Sequence, residues 1–75
     1  MSFQSRSTED LVRIAEAGGG FRLDAAVRQT DDLVKIAAAA SSWGVRLVFA
    51  GMNLRPTDDL VRIADAGEGN VQFEG

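Results

Sequence analysis

Leu, Ile, Ala and then Ala or Gly recur at i, i+3, i+4 and i+7 in three stretches of the chain, giving the apolar sets Leu11/Ile14/Ala15, Leu33/Ile36/Ala37/Ala40 and Leu60/Ile63/Ala64. That spacing is one stripe of an amphipathic helix and predicts helices over residues 9–17, 31–42 and 58–66. Val12, Val34 and Val61 widen each stripe to one side, as suits a helix that touches both a sheet and a neighbouring helix. After each helix the apolar period shortens to two, in residues 21–25, 45–50 and 71–74, which predicts three half-buried strands. Met1 to Ser7 is polar apart from Phe3 and is either a flexible tail or one further strand.

The helical stretches are copies of one another. Thr8-Glu9-Asp10-Leu11-Val12-Arg13-Ile14-Ala15, Thr30-Asp31-Asp32-Leu33-Val34-Lys35-Ile36-Ala37 and Thr57-Asp58-Asp59-Leu60-Val61-Arg62-Ile63-Ala64 are each preceded, two residues earlier, by an arginine: Arg6, Arg28 and Arg55. Self-similarity at such spacing marks a repeat array. The threonines are placed as N-caps, each followed by two acids that face the positive end of the helix dipole. Glu9/Arg13, Asp31/Lys35 and Asp58/Arg62 lie four apart, the spacing of a weak surface ion pair.

Strands alternating with helices over short links imply parallel pairing. Consecutive crossovers of one hand leave every helix on the same face of a sheet whose strands follow sequence order. The predicted fold is therefore α/β, three helix-strand repeats in one 75-residue domain. Phe21, Leu23, Val45, Leu47, Phe49, Val71 and Phe73 should face the helices, and Arg22, Asp24, Arg46, Val48, Gln72 and Glu74 the other side. Parallel sheets usually have both faces covered, so this bare, mostly polar face is the unusual feature.

Composition removes several kinds of chemistry. The chain has no cysteine and no histidine, which excludes disulfides, thiolate zinc and imidazole catalysis. A net charge of −3 argues against a nucleic-acid surface. No apolar run approaches the ~20 residues of a membrane span, and residues 1–7 lack the apolar core of a signal peptide, so the expected compartment is the cytoplasm. The repeated acids fit helix-end stabilisation better than metal binding or acid-base catalysis, and no cofactor is implied. Gly18-Gly19-Gly20 and Gly67-Glu68-Gly69 follow helices, whereas a phosphate loop must precede one; they read as C-caps. Arg6, Arg28 and Arg55 form either an anion-binding ladder or, more simply, pairs with the acids at helix starts. Trp43 either anchors a partner or closes the second helix.

The segment Val45-Arg46-Leu47-Val48-Phe49-Ala50-Gly51-Met52-Asn53-Leu54, followed by the third helix, resembles the ribonuclease-inhibitor type of leucine-rich repeat protein, in which strand, loop and helix recur. The resemblance implies a protein-binding role without catalysis. It carries over no individual binding residue, because Asn53 does not reproduce the family's asparagine spacing.

A repeat buries its faces only against neighbours, and natural arrays protect their ends with polar caps. This sequence shows no such cap, and its last strand offers an edge for another chain. The expected function is a non-enzymatic scaffold that assembles with itself through edge strands or the bare sheet face, as a ring, filament or dimer. The alternative is a small adaptor or inhibitor that binds another protein. The candidate interface residues are Phe3, Arg22, Asp24, Arg46, Val48, Met52, Leu54, Val71 and Phe73, Met52 and Leu54 as exposed apolar groups in a loop.

Overall fold

A computed structural model describes residues 6–75. They form α1 (Thr8–Glu16), β1 (Phe21–Asp24), α2 (Thr30–Trp43), β2 (Leu47–Ala50), α3 (Thr57–Gly67) and β3 (Val71–Phe73). The strands make one parallel sheet in the order β1-β2-β3, with Phe21 opposite Leu47 and Leu47 opposite Val71. Phe3 and the extra strand contemplated for residues 1–7 fall outside the described residues, apart from Arg6 and Ser7, which belong to no strand.

The alternation in the sequence is the alternation in burial. Phe21, Leu23, Leu47 and Phe49 are buried, while Arg22 and Asp24 are exposed and Val48 and Ala50 half-buried. The buried set meets Leu11, Ala15, Leu33, Ile36, Ala37, Ala40 and Ile63 of the helices in one core. β3 is covered less well: Val71 and Phe73 are half-buried. Val45 is buried at 8% exposure although it precedes β2 rather than belonging to it.

Each helix starts one residue earlier than the capping preference suggests. Ser7, Gln29 and Pro56 are the extended residues at the caps, with ψ of 159°, 149° and 145°, and the threonines are the first helical residues. Ser7 Oγ accepts from the Asp10 amide at 3.1 Å; Gln29 and Pro56 make no side-chain cap. This corrects the N-cap assignment and leaves the threonine hydroxyls available for other work.

The helix ends also differ in detail. Gly44 terminates α2 in the left-handed conformation at φ 65°. At α3 the left-handed residue is Glu68, φ 49°, and Gly67 is the buried last residue of the helix. A Cβ on Gly67 would lie 2.6 Å from Val71 Cγ2 and 3.6 Å from Ala37 Cβ. Glycine is needed there because Val71 of β3 approaches closely, which makes its role packing rather than capping.

Candidate functional site

The repeated residues do most of their work between repeats. Arg55 Nη1 donates to Thr30 Oγ1 at 2.9 Å, and its Nη2 donates to the carbonyl oxygens of Ala25, at 2.6 Å, and of Arg28. Thr30 Oγ1 in turn donates to Asp59 Oδ2 at 3.1 Å. One repeat earlier the arrangement recurs: Arg28 Nη1 donates to Thr8 Oγ1 at 3.4 Å and Nη2 to the Arg6 carbonyl at 2.5 Å. Arg28 and Arg55 thus each clip the threonine and the arginine carbonyl of the repeat before. A planar guanidinium with several fixed donors suits two acceptors side by side. The expected direct arginine-aspartate pair is replaced, at Arg55, by a threonine hydroxyl standing between guanidinium and carboxylate. Arg55 Nε is buried without a hydrogen-bond partner, so the clip carries a desolvation cost that its other bonds must offset.

One of the expected i,i+4 ion pairs, Asp58/Arg62, is redirected between helices. Arg62 Nη2 meets Asp31 Oδ1 of the preceding helix at 2.9 Å rather than Asp58 of its own. Both partners are more than half exposed, so the pair contributes under about 1 kcal/mol.

The apolar stripe also divides between neighbours. Leu11 and Ala15 of α1, and Leu33 and Ala37 of α2, are fully buried; their counterparts on α3 are the half-buried Leu60 and the exposed Ala64. Ile36 and Ile63 are fully buried, whereas Ile14 of α1 is only half-buried. The leucine and alanine of a repeat therefore face the repeat that follows, and the isoleucine faces the one that precedes. At the outer flank of α1, a depression of about 340 Å³ is lined by Arg6, Asp10, Arg13, Ile14 and Ala17. These stand at the repeat positions of Arg55, Asp59, Arg62, Ile63 and Ala66. The first four of those counterparts are the residues that α3 and its lead-in turn towards α2. By repeat position, the outward residues of α1 and α3 correspond to the two sides of the internal junctions.

The residues singled out from the sequence fall in several places. Arg22 and Asp24 are exposed on the open sheet face, where Arg22 Nη1 meets Glu74 Oε1 at 2.5 Å across the intervening β2. Arg46 is exposed just before β2, and Val48 is half-buried. Met52 is 2% exposed and belongs to the core, which removes it from any surface site. It stands at the repeat position of the fully buried Ala25, and that position points inward. Leu54 is 93% exposed, and so is its counterpart Val27, at 84%, in the preceding strand-to-helix link. Trp43 ends α2 with 62% exposure. Among the described residues no group of three or more acidic side chains converges as a metal site, and no helix is long and apolar enough to cross a membrane.

No protein-family model, curated protein or solved structure matches this chain.

Proposed function

We propose that the chain is a non-enzymatic structural or scaffold protein that assembles head to tail, α1 of one copy docking on α3 of the copy before it. The observation that supports this most directly is a difference in burial between equivalent positions. The leucine and alanine are fully buried in the first two repeats and the isoleucine in the last two, whereas Leu60 and Ile14 are only half-buried and Ala64 is exposed. Docking extends the row of helices by the step that relates α1 to α2 and α2 to α3, and leads the sheet on from the β3 edge. Such heterologous contacts close into a ring or continue as a filament, depending on the rotation per copy. The acids at the helix starts take part in joining repeats, as Asp31 and Asp59 do, which supports a structural over a catalytic reading.

Ala64→Lys tests the reading, because Ala64 is exposed in the single chain and lysine is a good helix former. The variant should keep the parent's circular dichroism and lose association; a variant that associates like the parent contradicts head-to-tail docking.

A second reading, an adaptor for another protein, is favoured by Val27 and Leu54. Two exposed aliphatic residues at matching positions of neighbouring loops are the start of an apolar patch. They lie beyond the carboxyl ends of β1 and β2, where open α/β sheets bind ligands. A monomeric parent from which a partner is released by Leu54→Ser would favour this reading.

A further inference from the structure

The head-to-tail contact leaves the open face of the sheet untouched, and that face has a charge pattern of its own. β2 runs down its middle and presents on this side, from the amino end to the carboxyl end, Arg46, Val48 and Ala50. Arg46 is exposed, and the neighbouring strands place Gly20 and Asn70 beside it, so no acid on the sheet balances its charge. At the other end Ala50 is flanked by Asp24 of β1 and by Glu74, which follows β3 and donates its amide to the Phe49 carbonyl at 2.9 Å. Each carboxylate uses one oxygen within its own chain: Asp24 Oδ1 accepts from the Ala26 amide at 3.2 Å, and Glu74 Oε1 from Arg22 at 2.5 Å. Asp24 Oδ2 and Glu74 Oε2 remain, on either side of Ala50. With Arg22 counted, this end keeps one net negative charge against the one positive charge of Arg46. A face that is positive at one end of its central strand and negative at the other is complementary to itself turned end for end.

We infer that two copies pair through this face about a two-fold axis that crosses the strands at Val48, so that Arg46 of each copy lies against Asp24 and Glu74 of the other. A guanidinium has donors enough for both remaining carboxylate oxygens. Val48, half-buried in the single chain, meets its own mate on the axis. A two-fold along the strands would set Arg46 on Arg46 and Asp24 on Glu74, so the charges select the arrangement in which the two sheets run oppositely. Arg22 also comes near its mate, but its head leans toward the carboxyl end to reach Glu74, which carries the two heads apart. The pair supplies the second cover that parallel sheets ordinarily have. Three strands of three or four residues a side make a small contact, which belongs to higher protein concentrations than the head-to-tail row. The pairing does not depend on that row, and where both form, two rows stand back to back.

The test is run on Ala64→Lys, in which head-to-tail growth is removed. As concentration is raised, sedimentation velocity should show this variant passing from one chain to two and stopping there, with pairing that weakens as salt is added. Placed in that background, Arg46→Glu and Glu74→Lys should each weaken pairing about tenfold or more, since each sets like charges together. An equimolar mixture of the two should pair like the background, because the new acid of one copy meets the new base of the other. If either variant pairs like the background, or the mixture pairs no better than the variants alone, the sheet face is not the contact. An Ala64→Lys variant of one-chain mass at every concentration also overturns the pairing and leaves the head-to-tail reading standing. Growth of that variant beyond two copies overturns the head-to-tail reading instead, and the charge swap still decides the pairing.

Discussion

Arg55 is the residue on which the middle of the molecule depends, because its guanidinium holds two carbonyls of the preceding link and the first residue of α2. Replacing it by alanine should cost about 2–3 kcal/mol in urea unfolding, from hydrogen bonds to a charged donor lost inside a partly buried site. Arg55→Lys should recover little of that, since an ammonium is a point charge and cannot reproduce the fork. A lysine variant as stable as the parent would show that charge alone suffices. At Gly67 the constraint is space. Gly67→Ala places a methyl against Val71 and should destabilise by about 1–3 kcal/mol, seen as a lower urea midpoint at unchanged slope. These two residues also show where a sequence stops being readable. The recurrence of Arg, Thr and Asp was visible, but threonine beside a helix start fits a cap and a lateral hydrogen bond equally well. Only the extended backbone of Ser7, Gln29 and Pro56 decides between them. Met52 was misread for a related reason: a loop flanked by glycine and proline looks exposed, while burial there follows the repeat position it shares with Ala25.

At the scale of elements, helices and strands were legible to within a residue or two because both carry clean periods. The 3.6-residue stripe places α1, α2 and α3, and the two-residue alternation places the strands on one face of the core. Less legible was the division of each stripe between two neighbours, since leucine, isoleucine and alanine share one apolar label and differ only in which repeat they face. The consequence is a graded sheet. Phe49 in β2 is fully buried, whereas Phe73 in β3 is covered on fewer sides. Phe49→Ala should cost about 3–5 kcal/mol, enough to unfold much of a domain this small, and Phe73→Ala distinctly less in the monomer. Hydrogen exchange should follow the same gradient, with the β3 amides less protected than those of β2 in dilute protein and gaining protection as concentration rises. Equal protection of β2 and β3 in the dilute sample would mean that the edge strand is held by something other than the packing described.

On the proposed head-to-tail reading, the described residues are a segment of a repeat whose two outer faces fit one another. A chain of 75 residues buries only about 60% of its unfolded surface, so each additional repeat docked on it adds stability that the single copy lacks. Association and thermal stability should rise together, and the melting temperature should climb with protein concentration, as it does whenever a partner binds the folded state alone. The central claim, that the tail of one copy accepts the head of the next, is tested most directly by the mass in solution. Light scattering across a concentration series should start near the 8.0 kDa of one chain and rise through whole multiples of it, reaching a plateau for a ring or growing without limit for a filament. A mass of 8.0 kDa at every concentration, with a cooperative melt that does not shift, would contradict the account and bring the loop patch at Val27 and Leu54 forward in its place.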